Sequence, residues 1–235
     1  MKIRPNDPRI QQALEVLDLH YDSFFTVAPI ATSVGHPVPV DTRGWSQILV
    51  SILCGLKGLA RKKGADLEDG SDVKAANTWE AIDTPRFNGV LKAGTQAEHS
   101  GQIESLNAMP FLFFVLWDHA PERGQARCRI WVVRTQRDKV FRSMCDSWYE
   151  QRKQGQIKSN NFQLHPPRGR DSNVIRNTCG VLEYPLYFCA ERADGEKYRL
   201  IHFDERVLRV GQCRKADDEA ARGTTASTAA RGTTS

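Results

Sequence analysis

No stretch of the sequence approaches the ~18 consecutive apolar residues of a membrane-spanning helix. The first eight residues are polar and lack the pattern of a secretory signal, so a protein working in the cytoplasm is expected. No Cys-x-x-Cys occurs. The six cysteines, Cys54, Cys128, Cys145, Cys179, Cys189 and Cys213, are scattered, and three of them sit inside apolar patterns. That reads as reduced packing cysteines rather than a disulfide framework. A zinc site from Cys179, Cys189, His202 and Cys213 can be drawn, but its spacing fits no known ligand pattern. Lysine is scarce, at 11 of the 33 basic residues. Arginine supplies the rest, and its planar fork suits phosphate and guanine edges. With a net charge of +5, the balance suits a nucleic-acid partner without requiring one.

What is present is enough for one domain. The chain of 235 residues can bury a substantial core. Apolar residues recur at helical spacing over 8–25, from Ile10 to Phe24. Residues 27–40 are rich in Pro, Ala and Thr and read as a connection. A wide apolar stripe over 45–60 predicts a second helix, with Asp41 or Thr42 as its cap. Residues 84–95 read as a polar loop. Continuous apolar runs at 111–117 and 130–133 read as buried strands. A helix is predicted over 136–152, stopped by Gly155, and a strand over 161–165. A closing hairpin pairs 184–189 with 198–203 across Asp194-Gly195, and 207–210 adds an edge. The order of elements predicts an α/β core, a mixed central sheet flanked by helices on both faces. From residue 214 onward the composition falls to Ala, Thr, Gly and charge, and that tail is expected to be disordered.

The chemistry-bearing stretch runs from Arg61 to Trp79. It holds four carboxylates and three lysines around Asp69-Gly70, a strong turn signal. As a hairpin, the turn is followed by a strand over 72–78. Asp72 and Lys74 then share one side of that strand, and Asp66 comes up beside them from the other arm. Two carboxylates and an ammonium group around one small volume make a cage for a hard divalent cation and a water. An acidic-x-Lys triplet alone is cheap. Composition gives about one by chance, and the chain has one.

The context adds weight. Gly64-Ala65-Asp66, then the turn, then Asp72-Val73-Lys74 resembles the looser signature of the PD-(D/E)xK nuclease superfamily. The longer run on to Gly89 resembles type II restriction endonucleases of the MamI type, and the likeness covers roughly residues 40–170. The resemblance implies a single nuclease domain over 1–213, carrying the restriction-endonuclease-like core. It implies Asp66, Asp72 and Lys74 as catalytic residues. Asp66, Asp72 and the Val73 carbonyl would hold Mg²⁺, with Mn²⁺ as a substitute. Glu68 and Asp69 are the nearest alternatives to Asp66. Some relatives carry a further Glu on the preceding helix. This chain has none there, and Gln47 is the polar candidate in its place.

The implied partner is double-stranded DNA, read by a homodimer of two-fold symmetry. Arg61, Lys62 and Lys63 complement the helix end or touch phosphate beside the scissile bond. Asn77, Arg86, Asn88 and Lys92 are further candidate DNA contacts. The segment 165–177, stiffened by Pro166-Pro167, offers Arg168, Arg170 and Asn173 for reading bases, with Arg176 extending the patch. A site-specific nickase or repair endonuclease with the same chemistry, and a non-catalytic DNA-binding protein, are the rival functions.

Overall fold

The computed structural model describes residues 7–35, 41–59, 64–78, 84–92, 103–120 and 125–210. Residues Arg61, Lys62 and Lys63, the side chain of Lys92, Cys213 and the 214–235 tail lie outside the described residues.

The centre is a five-stranded mixed sheet of order β1-β3-β4-β8-β9, with β1 at one edge. Its strands are β1 (Asp72–Asn77), β3 (Leu112–Ala120), β4 (Gln125–Val133), β8 (Leu186–Ala193) and β9 (Arg199–Phe203). β1 runs parallel to β3, with Asp72 opposite Leu112, and the other neighbours are antiparallel. Leu112 to Trp117 are fully buried, because helices and strands cover both faces of β3. The apolar runs therefore become central strands, as their composition predicts.

Alternation along the strands splits the core in two. One face carries Val73, Phe113, Val115, Trp117 and Ile130. The helices α1 (Pro8–Ser33) and α2 (Arg43–Cys54) close it with Leu17, Leu49 and Leu53. The other face carries Leu112, Phe114, Leu116 and Trp131. It is closed by α3 (Lys139–Lys153) and by two small antiparallel pairs: β2 (Phe87–Lys92) with β5 (Asn161–Leu164), and β6 (Val174–Asn177) with β7 (Gly180–Glu183).

Several elements differ from the sequence reading. α1 continues past Pro29 to Ser33, taking in part of the predicted connection. α2 stops at Cys54 rather than near 60, because Gly55 takes a left-handed φ of 72° and its N–H closes on the Ser51 carbonyl. Neither Asp41 nor Thr42 caps α2 in the expected way. Thr42 stands at the N-cap without a side-chain bond, and Asp41 accepts from the Arg43 N–H.

The predicted loop at 84–95 contains β2. Its Phe87, Val90 and Leu91 are buried, and a bulge around Gly89, at φ 65°, breaks the alternation that would have revealed it. Within 165–177, Val174–Asn177 is strand β6. Residues 207–210 form one helical turn, α4 (Val207–Val210), rather than an edge strand, started by Asp204, whose carboxylate accepts from the Arg206 N–H. Among the described residues no helix is long and apolar enough to cross a membrane.

Two histidines sit between α1 and the sheet. His20 and His119 are buried, their rings are 6.0 Å apart, and His20 lies 4.2 Å from Trp117. Burial lowers both from 6.5 to about 4, since a charged imidazole there loses its hydration. In the unfolded chain each binds a proton near pH 6.5, so stability present above that pH is lost as pH falls towards 4. The expected loss is roughly 3 kcal/mol per histidine across that window. Urea unfolding at pH 7 and pH 5 checks this. His20→Phe should flatten the acid loss, and equal losses in both proteins would contradict it.

Candidate active site

The site forms where α2, the 64–71 turn and the edge strand β1 meet. Leu67 is the anchor of the turn. It is fully buried and bridges to Gly58, while the Leu59 N–H donates to the Asp66 carbonyl at 2.8 Å and the Glu68 N–H donates to the Lys57 carbonyl at 2.9 Å. The Asp66 and Leu67 N–H groups both donate to the Ser71 carbonyl, at 3.0 and 3.1 Å. The arm before the turn is thus held by residues 57–59, not paired along β1 as a regular hairpin would be. Gly70 permits the tight return. Its φ is 95°, and a Cβ there would stand 2.6 Å from the Ala108 carbonyl oxygen.

This turn lifts Asp66 over the free edge of β1. The Val73 N–H is the meeting point: it donates to Asp66 Oδ2 at 2.8 Å and to Asp72 Oδ1 at 2.9 Å. Lys74 Nζ donates to Asp72 Oδ2 at 2.5 Å. Gln47, on α2, donates through Nε2 to Asp66 Oδ1 at 2.6 Å. The rotation of α2 is set one residue earlier. Ser46 is buried and its Oγ accepts from Trp117 Nε1 at 2.8 Å. The alternatives to Asp66 are otherwise engaged. Glu68 accepts from the Lys57 N–H, and Asp69 accepts from both the N–H and the hydroxyl of Ser71.

The structure therefore brings Asp66, Asp72 and Lys74 together, with side chains of Asp72 and Lys74 only 13 and 18% exposed. Burial first, and the neighbouring Asp72 carboxyl second, raise Asp66 to about 7. Asp66 thus carries a proton more readily than an ordinary carboxyl, and a divalent cation beside Asp72 would displace it. Val73 uses its N–H on the free edge, and a strand residue's carbonyl points the same way as its N–H, so the Val73 oxygen stands on that edge too.

Among the described residues no three His, Cys, Asp or Glu side chains cluster as metal ligands. The donor set is instead two carboxylates with a backbone oxygen. That suits Mg²⁺, which takes one or two carboxylates and keeps several waters. The drawn zinc site is not assembled: His202 Nε2 pairs with the Leu186 carbonyl at 2.8 Å, and Cys213 lies outside the described residues.

The candidate DNA contacts fall elsewhere. Asn77 is half-buried at the end of β1, and Asn88 is exposed on β2. Arg86 reaches Gln163 at 3.4 Å. The 165–177 segment is closed at its base by paired backbone bonds between His165 and Arg176. Arg168 is exposed. Arg170 is bonded to both Glu191 oxygens at 3.0 Å, and Asn173 accepts from Trp131 Nε1 at 3.0 Å. The residues missed by sequence reading are Asp118, Arg127 and Arg129. Asp118 takes Arg127 at 2.6 Å and Arg129 at 3.2 Å on one carboxylate oxygen, and Thr78 Oγ1, just after β1, bonds the other at 3.2 Å. Burial alone would raise Asp118, but the two guanidiniums outweigh it and hold this carboxyl below its ordinary value.

Residues 29–197 match a family described as MamI restriction endonuclease. The chain belongs to that family. It is 33% identical over 164 residues to the type II restriction enzyme MamI of Microbacterium ammoniaphilum, covering 66% of this chain and 52% of that protein. The chain thus spans about half the length of that curated relative. No solved structure matches. The matched stretch includes Asp66, Asp72, Lys74 and Arg168.

The raised Asp66 carries a sign. Its folded value is about 7 against 3.8 ordinarily, so stability fully present below pH 3.8 is lost progressively as pH rises from there through 7. In chelator, Asp66→Asn should raise the melting temperature most at pH 8, less at pH 5, and change it little near pH 3.5. A variant less stable than the parent at pH 8 would contradict the raised value.

Proposed function

We propose that the chain is a metal-dependent, site-specific DNA endonuclease of the restriction type, with Asp66, Asp72 and Lys74 as its catalytic residues. The observation that carries this is the convergence of those three side chains on the edge of β1. Membership of the family and the name of the type II relative support it.

Asp66, Asp72 and the Val73 carbonyl would hold Mg²⁺, or Mn²⁺ in its place. The cation supplies activation of water and neutralisation of phosphate charge. Gln47 fixes the Asp66 carboxylate through Oδ1 and leaves the other oxygen on the Val73 side. Asp66 gives up its proton as the site loads. Lys74 Nζ, anchored on Asp72 Oδ2, orients the attacking water and sets a positive charge where negative charge grows on the phosphate. An edge strand suits this role, because among the described residues no further strand pairs with β1 on the side where Asp66, Asp72 and Lys74 meet. Double-stranded DNA is the substrate, and a two-fold homodimer reads its site in the bacterial cytoplasm.

Plasmid cleavage tests the reading. Cutting should vanish in EDTA and return with Mg²⁺ or Mn²⁺. Asp72→Ala and Lys74→Ala should each slow cleavage by at least about 10²-fold with DNA affinity largely kept, since phosphate contacts elsewhere carry most of it. Cutting in chelator, or near-parental rates in either variant, would exclude the assignment. A product nicked in one strand only would favour the nickase alternative.

A further inference from the structure

The chain carries a second concentration of charge at the opposite end of the sheet. A cavity of ≈ 250 Å³ opens there between the start of β4, the end of β8 and the 165–177 segment. Five arginines line it, against the two carboxylates of Asp118 and Glu191. Three of the five are committed. Arg127 is paired with Asp118 at 2.6 Å, and Arg170 is paired with Glu191 at 3.0 Å. Arg192 reaches Asp18 and Asp22, each at 3.5 Å, and stacks 3.6 Å over Tyr21. The other two, Arg168 and Arg199, are exposed, and their side chains form no hydrogen bond or ion pair with any described residue. Two guanidiniums with no described partner therefore face a cavity whose own acids are already matched.

The wall that carries Arg168 is built to hold position. Arg129 has a side chain only 3% exposed, lies 5.0 Å over Trp131, and donates to the carbonyls of Arg170 at 2.9 Å and Ser172 at 3.0 Å. Arg127 adds a bond to the Arg170 carbonyl at 2.7 Å. Burying one guanidinium to fix backbone is a large desolvation, and it is matched here by several charge-assisted bonds. The result is a fixed shelf that presents Arg168 towards the cavity shared with Arg199.

We infer that Arg168 and Arg199 grip a backbone phosphate of the bound DNA, away from the scissile one. This rests on the nuclease reading for its choice of anion. Asp118 lies six residues along β3 from Leu112, the partner of Asp72. That is ~20 Å at strand rise, about six phosphate spacings along one strand of a duplex. Arg168 thus holds backbone rather than reading bases, and the sequence-based candidates Arg170 and Asn173 serve the shelf. Arg199 lies beyond the stretch matched by the family, so this grip joins a residue inside that stretch to one from the C-terminal hairpin.

The test uses the full chain in EDTA, with two probes. Inorganic phosphate is titrated against melting temperature, and a labelled mixed-sequence duplex is titrated by anisotropy at several salt concentrations. The double variant Arg168→Ala/Arg199→Ala should lose the phosphate response, and the magnitude of its log-affinity salt slope should fall by about one, since one phosphate contact is lost. Both residues are exposed, so the variant's melting temperature without phosphate should match the parent, and Arg168→Lys/Arg199→Lys should restore most of the slope. An unchanged salt slope overturns the assignment to DNA, even if the phosphate response is lost. A phosphate response that survives in the alanine variant overturns the site itself. Neither readout involves cleavage, so failure of the nuclease chemistry would register separately, in the Asp72 and Lys74 variants.

Discussion

A single backbone N–H, that of Val73, is shared between two carboxylates, and much of the candidate site depends on that sharing. It requires β1 to lie at the edge of the sheet, where alternate amide groups have no strand to bond. It requires a loop that can carry Asp66 back across that edge. The loop is held by a buried leucine and by backbone bonds to residues 57–59, and it turns at a glycine that no other residue could replace without striking the Ala108 carbonyl. α2 then completes the arrangement from the far side, because the bond from Trp117 to Ser46 fixes its rotation and leaves Gln47 over Asp66. Secondary structure that is otherwise ordinary is arranged to bring like charges together, and proximity of that kind is favourable only with a shared proton or a cation between them.

Much of this was legible in the sequence. The acidic-x-Lys triplet and the turn before it marked where Asp66, Asp72 and Lys74 converge, and the apolar run at 111–117 read as the buried strand it forms. Asp194-Gly195 marked the β8–β9 hairpin, and the 3.6-residue stripe marked α3. These signals are local, and local patterns survive folding. β2 was hidden because the Gly89 bulge scrambles its alternation. The extension of α1 past Pro29 was hidden because proline reads as a stop. The cluster of Asp118, Arg127, Arg129 and Glu191 had no sequence signature at all. Its members are joined only by the register of β3, β4 and β8, which places Asp118 opposite Arg127 and Arg127 opposite Glu191.

The same distinction explains the 165–177 segment. Its arginines, prolines and asparagine read as a projecting recognition loop. Folding instead ties its base with backbone bonds, sets Asn173 on Trp131 and Arg170 on Glu191, and leaves Arg168 exposed. Loops rich in polar side chains spend many of them on their own carbonyls and neighbours. Which side chain remains for a ligand is decided by contacts distant in sequence.

As proposed, Asp66 and Asp72 together hold one divalent cation, and Asp66 carries a proton when that cation is absent. Calorimetric titration of the chain with Mn²⁺ at pH 6, in two buffers of different ionisation enthalpy, tests it most directly. The account predicts one ion per chain, with release of about one proton at pH 6 and little release at pH 9. It also predicts loss of binding in Asp72→Asn. Binding without proton release at pH 6, or binding that survives Asp72→Asn unchanged, would contradict it.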